Sequence, residues 1–599
     1  MSKNYLKYAE NLKRYVELDN IKFTSLDTKE YVLSSLHRIA IEKRNIFVEN
    51  NQIIEEYILP LEKKAELTTE DVALLEEFSA SLSLRFGSLD NSIYFRIHKL
   101  LLAYALQASD INAIVKEKYY CGFCEYLIEA SRTGKRKLSY FKSIEAYQDQ
   151  YDSLSIEGKN YFLRCYGNQL LDNEFIYERS KRILEFVQEQ QKNHPHPDIP
   201  YDRYILSIER NVSGALAYFR SFGKDMESVP KEYVELVYEA AVYSLEHLSQ
   251  MKQTSLVSAV LYKYTFYAAS FHYGKITIEE LLEKLDELSN PNADYDLIER
   301  ASSIIKMTAY YIEYYRSYTD ITPEELLPHL LPRTKKVLDF VSQIPISEFT
   351  DTLNEELISF LKVASSIYPF EQIKSLLFQV LIVRNPSTFI HVDMVRRISS
   401  VLTKELLKKN PSFFNGILEN FSLPEILSQR DRILKTIEDM AMFHDVGKHF
   451  FIKYISLSHR KIEDAEYEII KLHSSVGYQT LAKGRYPDPI SEGILLHHLW
   501  HDGTGGYPKG EPQTNNQPLI DILSVADTID AATDYVGRPY SLTKTLSSLL
   551  EELRQYKGTR YSGEVIELFE EKEVFTQVEK IITEVREEVA YKIWTNEIK

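Results

Sequence analysis

Seven side chains in the last third of the chain share one capacity. His391, His444, Asp445, His473, His497, His498 and Asp527 can each offer a metal ion a neutral imidazole or a carboxylate. Eight of the fifteen histidines fall between His391 and His501, so the concentration is local and not a matter of composition. A glycine-rich loop, "HDGTGGYPKG" at His501–Gly510, follows the His497–His498 doublet and contains Gly506-Tyr507-Pro508. Nitrogen and oxygen donors without thiolates suit iron, manganese or nickel better than a structural zinc. The chemistry this pattern points to is that of a multinuclear metal centre.

Such donors need rigid elements to aim them, and the flanking residues supply helical patterns. Asn385 followed by Pro386 is an N-cap and first-turn signal, and His391, Met394, Val395, Ile398 and Leu402 then recur on one face. Ile433, Ile437, Met440, Ala441 and His444 do the same in a helix expected to end at Gly447. His473 follows Ile469 by four residues and precedes Val476 by three, again on an apolar face. Ile520, Leu523, Asp527 and Asp530 share a further stripe. One histidine on an apolar face is usually a satisfied core residue. Four helices that each turn an imidazole or a carboxylate inward are another matter, because a buried unpaired carboxylate costs several kcal/mol. Lys448, four residues after His444 and three after Asp445, lies near both.

The rest of the chain sets the frame. At 599 residues it exceeds one hydrophobic core, so two or more domains are expected. Glycine and proline are scarce, at 20 each, and most windows show apolar residues three or four apart, which predicts an all-α protein. Residues 1–332 read as stacked, aromatic-rich helices for sensing or interaction, resembling tetratricopeptide repeats only loosely, without a clean 34-residue period. A subdivision is expected at the proline-rich stretch Gln191–Asp202, and residues 333–599 form the second domain. Thr322, Pro323 and Glu325 mark a helix start, with the domain boundary placed near Leu331–Arg333. Cys121, Cys124 and Cys165 are too few for a disulfide framework, and Cys121 and Cys124 read as core thiols. With no export signal and no apolar run of about 18 residues, a cytoplasmic location away from membranes is expected. The net charge of −17 argues against a nucleic-acid polymer as partner, though metal ions would reverse the field locally for a small anion.

Four motifs bring a family into view: "HDVGK" at His444–Lys448, "HSSVG" at His473–Gly477, "HHLWHDGTGGYP" at His497–Pro508 and "ILSVADTIDAATDYVGRPY" at Ile522–Tyr540. In their order and spacing the region from about Lys336 to Ile598 resembles the HD-GYP branch of the HD hydrolases, which cleave cyclic dinucleotides, chiefly cyclic di-GMP. The resemblance implies an all-α HD core extended by two helices. It also implies one metal held by His391, His444, Asp445 and Asp527, with Asp445 bridging to a second held by His473, His497 and His498. Asp445 and Lys448 would be catalytic, and Lys448 would also meet the scissile phosphate. Gly506, Tyr507 and Pro508 would shape the pocket mouth, and Arg538 would contact substrate phosphate. Some members carry a glutamate four residues before the first histidine and a third metal; Ser387 stands there, so two ions, iron or manganese, are expected. Leu499 replaces a familiar glutamate, Gly505 is an additional glycine, and Ser541 stands where a basic residue is common. The interval from His391 to His444 is long, which implies an insertion near Asn410–Leu427.

The leading expectation is therefore a cyclic-dinucleotide phosphodiesterase yielding the linear dinucleotide and, by further cleavage, GMP. A second reading is a catalytically weak domain that binds the ligand and reports it to a protein partner through the N-terminal helices; a homodimer is compatible with either. The third is another HD-type nucleotide phosphohydrolase, disfavoured by "HDVGK" and the Gly-Tyr-Pro loop.

Overall fold

A computed structural model describes residues 4–82, 90–107, 115–123, 154–156, 158–159, 173–197, 200–214, 229–248, 256–291, 296–345, 351–451, 459–510, 514–535 and 543–597. Among these residues there are helices and two isolated bridges, and no strand, so the chain is all-α as its periodicity predicts. No helix among them is long and apolar enough to cross a membrane.

The chain forms two compact units, one of Met1–Glu10 with Ile53–Ile367 and one of Asn11–Gln52 with Tyr368–Lys599. The expected boundary at Leu331–Arg333 falls instead inside the continuous helix Pro323–Val341. Pro323 sits in its first turn, where no N–H bond is lost, and Thr322 and Glu325 form a capping box. Pro328 and Pro332 lie in its interior, yet Leu326, Leu330, Val337 and Val341 remain buried along one face. That burial outweighs the two missing backbone bonds. The break at Gln191–Asp202 does separate two helices, Asn173–Asn193 and Tyr201–Gly214, but both belong to the same unit.

In the first unit, described helices pack as neighbours, Tyr201–Gly214 on Lys231–Glu246 and Ile278–Leu288 on Leu297–Tyr318. The aromatic stripes are core packing: Tyr264 stacks on Tyr310 at 4.3 Å, and Phe95 meets Phe123 at 5.0 Å. Cys121 is half-buried, while Cys124 and Cys165 lie outside the described residues.

The second unit is organised around the helix Pro386–Lys409, which packs against Arg430–Phe443, Gln517–Thr533, Phe370–Arg384 and Arg586–Trp594. Asn385 caps it, its Oδ1 accepting from the Thr388 N–H at 3.2 Å. The segment Asn410–Leu427 folds as short turns, with Phe414, Ile417, Phe421 and Ile426 buried beneath them. Residues 11–52 are fastened into this unit through polar backbone ties and aromatic contacts. Asn50 Nδ2 donates to the His459 carbonyl at 3.0 Å, the Lys461 N–H donates to Asn51 Oδ1 at 3.0 Å, and Phe23 meets Trp594 edge-on at 6.5 Å.

Candidate metal centre

All seven predicted donors converge in the second unit. His391 comes from the helix Pro386–Lys409, and His444 caps the helix Arg430–Phe443, which ends before Gly447. Asp445 follows at the turn into Val446–Phe451, and Asp527 lies on Gln517–Thr533. His497 caps Asp488–Leu496, with His498 next to it. His473 is not on a continuous apolar helix with Ile469. It opens a short helix, His473–Gly477, after Asp464–Ile470 has ended.

The atoms sort themselves around Asp445. Its Oδ2 lies 3.2 Å from His391 Nε2 and 3.4 Å from His444 Nε2, and Asp527 Oδ1 lies 3.2 Å from the same His391 nitrogen. Its Oδ1 lies 3.2 Å from His473 Nε2 and 3.8 Å from His497 Nε2. His498 joins this second side, its ring 5.1 Å from that of His473. Two sets, His391–His444–Asp445 and His473–His497–His498, each present ligand atoms within 4.8 Å of one another.

The ring orientations are fixed from behind. Nδ1 of His444 donates to the Ala441 carbonyl, and Nδ1 of His473 donates to that of Ile470, both at 2.7 Å. His497 Nδ1 lies 2.9 Å from the Gly493 carbonyl, and His391 Nδ1 donates to Asp530 Oδ2 at 2.6 Å. In the neutral form of each ring, with the proton on Nδ1, Nε2 offers its lone pair to the shared space. His391 Nε2, His444 Nε2 and Asp445 Oδ1 are buried without a hydrogen-bond partner among the described residues. Buried polar atoms are nearly always satisfied, so three orphans aimed at one space fit a cation.

Charge differs between the two sides. Burial alone would lower the His391 pKa, but Asp445, Asp527 and Asp530 outweigh it and raise it to about 10. His444 is raised as well, its two neighbouring carboxylates outweighing burial. Burial opposes ionisation of Asp445 and Asp527, yet Lys448 and the histidines hold Asp445 well below the usual carboxylate range, and His391 and His444 do so for Asp527. On the other side burial and neighbouring imidazoles lower His497 to about 3 and push His498 down. The first set is thus a carboxylate-rich pocket that attracts positive charge. On the second side His497 and His498 are kept neutral, the form that binds metal.

Two glycines bring these sets together. A Cβ on Gly447 would stand 1.8 Å from the His473 carbonyl oxygen, and one on Gly477 would stand 2.9 Å from Gly447 Cα. The segments that carry Asp445 and His473 therefore touch backbone to backbone. Gly506, at φ +87°, lets the loop return to the doublet, where the Tyr507 N–H donates to the His498 carbonyl at 3.3 Å. The Tyr507 ring then lies 4.4 Å from that of His498, with Pro508 following. Gly505 lies against Trp500, where a Cβ would meet the indole at 2.5 Å. Lys448 Nζ pairs with Asp445 Oδ2. Arg538 and Ser541 lie outside the described residues.

Sequence reasoning missed Arg586. It is 1% exposed and donates to Asp530 Oδ1 at 2.6 Å. The available signal was an arginine on the apolar face formed by Ile582, Val589 and Ile593.

Residues 402–565 match the family model of the HD domain, so the C-terminal region contains an HD domain, consistent with the HD-GYP resemblance. A cyclic di-GMP phosphodiesterase of Thermotoga maritima is 31% identical over 165 residues, which is 27% of this chain and 42% of that protein. The cyclic di-GMP phosphodiesterase response regulator RpfG of Xanthomonas campestris pv. campestris is 29% identical over 146 residues, 24% of this chain and 38% of that protein. The match spans less than half the length of either relative.

Proposed function

We propose that the protein is a metal-dependent phosphodiesterase that hydrolyses a cyclic dinucleotide, cyclic di-GMP being the first candidate, to the linear dinucleotide and then GMP. The observation that carries this reading is the division of Asp445, with one oxygen turned to His391 and His444 and the other to His473 and His497. His391, His444, Asp445 and Asp527 would hold one ion and His473, His497 and His498 the other, iron or manganese by donor type. A metal pair in such a cage lowers the pKa of water and offsets phosphoryl charge. Asp445 keeps the two donor sets in register, and the backbone-bonded histidines hold theirs without reorganisation. Lys448, partly open to solvent beside Asp445, is placed to contact a phosphate oxygen, and the Gly506–Pro508 loop would border the substrate. Arg538 is assigned a second phosphate contact on the motif alone. Support for the substrate comes from the two relatives, whose names state cyclic di-GMP hydrolysis.

Protein purified without oxygen should contain about two transition-metal ions per chain and convert cyclic di-GMP to pGpG. Chromatography that returns intact ligand under iron and manganese alike, with metals loaded, would overturn the enzymatic reading. It would favour a second one, a binding protein that signals to a partner through its N-terminal helices. Leu499, in place of an acidic side chain beside the doublet, is the observation on that side.

A further inference from the structure

Behind His391 runs a chain of buried charge that ends outside the matched HD domain. His391 Nδ1 donates to Asp530 Oδ2 at 2.6 Å, and Arg586 Nη2 donates to Asp530 Oδ1 at 2.6 Å. Arg586 Nη1 also donates to the Thr533 carbonyl at 2.7 Å, and Nη2 to Thr533 Oγ1 at 3.1 Å. Asp530 and Arg586 are each 1% exposed, so neither exchanges these partners for water. The guanidinium thus grips both the carboxylate and the end of the helix that carries Asp527. Its own helix, Arg586–Trp594, begins 21 residues beyond the matched segment 402–565.

We infer that Arg586 is a positioning residue for the first donor set, acting through Asp530 on His391. This rests on the proposed metal centre. A carboxylate that accepts from Nδ1–H fixes the imidazole tautomer and its rotation, leaving Nε2 to face Asp445 and Asp527. Without Arg586, Asp530 would be a buried carboxylate with one of its two hydrogen-bond donors gone. It would be free to rotate away, and that change releases His391.

The test compares full-length wild-type protein, Arg586→Gln, Arg586→Lys and the double variant Asp530→Asn/Arg586→Gln. The double variant removes both buried charges, so its fold does not depend on an unpaired ion. Equilibrium titration with Mn²⁺ and metal counting should show one of the two ions bound on the order of 10–100-fold more weakly in Arg586→Gln and in the double variant, with helical circular dichroism unchanged. Arg586→Lys, which keeps the charge but not the fork, should recover part of the loss. A merely structural role would lower melting temperature without selecting one ion. Two ions bound at wild-type affinity in the folded double variant would overturn the inference while leaving the metal centre intact. Wild-type protein that binds no Mn²⁺ would overturn both.

Discussion

The two units bury polar groups in different ways. In the unit of residues 1–10 and 53–367, they form local fastenings set in hydrocarbon. Ser79 meets His98 at 2.8 Å, the Tyr8 hydroxyl donates to Asp90 at 2.6 Å, and Glu356 is held by Lys306 at 2.6 Å and Ser302 at 2.8 Å. In the unit of residues 11–52 and 368–599, five imidazoles and two carboxylates face one another, three of them with atoms that no described residue satisfies. Each fastened group has a partner of its own, although single atoms such as His98 Nδ1 and Glu356 Oε2 stay unsatisfied among the described residues. A site leaves like groups crowded together and unsatisfied, a cost the fold tolerates when something else is to bind there. Neither burial nor a single unsatisfied atom therefore marks function; the convergence of many metal-binding donors on one space does.

The comparison breaks most visibly at Asp445. Asp445→Ala should abolish cyclic-dinucleotide hydrolysis and strip bound metal while leaving helical content mostly unchanged, as read by product chromatography and metal analysis. Wild-type turnover in that variant would reduce Asp445 to one more fastening.

Glycines sharpen it next. Gly447→Ala would force a methyl carbon to 1.8 Å from the His473 carbonyl oxygen, which no side-chain rotation relieves. Destabilisation of more than about 3 kcal/mol is expected in thermal or urea unfolding, above the usual range for overpacking. The first unit's Gly214, with nothing within 4 Å of its would-be Cβ, offers the contrast. Gly214→Ala should change stability by less than about 1 kcal/mol, in the favourable direction.

Between these lies Glu209 of the first unit. Burial and then the nearby Glu239 raise its pKa to about 7. The unfolded chain releases this proton near the ordinary glutamate value of about 4.3, whereas the folded chain keeps it until about pH 7. Stability should thus fall as pH rises across that window and level off above it. Glu209→Gln should add about 1–3 kcal/mol at pH 8 and nothing near pH 4, measured by unfolding at both pH values. An equal effect at the two would show that Glu209 is ionised throughout.

Much of this was legible in the residues. Apolar periodicity announced the helices around His391, His444 and Asp527, and Asn385-Pro386 marked the start of the first. Local signals fared worse where tertiary burial overrode them. Pro328 and Pro332 look like breakers, yet their helix persists because its leucines stay covered. His473 looked continuous with Ile469, but its segment is cut so that Gly477 can meet Gly447, a contact with no signature in either stretch alone. Residues 11–52 carry nothing that would assign them to the unit bearing the metal centre, since Asn50 and Phe23 find their partners more than 400 residues away. Arg586 was hidden because its partner Asp530 lies on another helix, 56 residues away.

That dispersal has a consequence for how the protein is maintained. His391 and Asp530, joined at 2.6 Å, stand 139 residues apart, and no short peptide contains the first donor set, which runs from His391 to Asp527. Closing such loops is an entropic debt met only when the unit is folded. On the proposed reading, a metal ion recognises the folded chain and not the unfolded one, and by mass action each tenfold excess over its dissociation constant deepens the folded state by about 1.4 kcal/mol. Melting temperature should then fall on addition of a chelator and recover with Mn²⁺. Metal scarcity would act on the lifetime of the polypeptide, through its exposure to proteases, as well as on its rate of turnover.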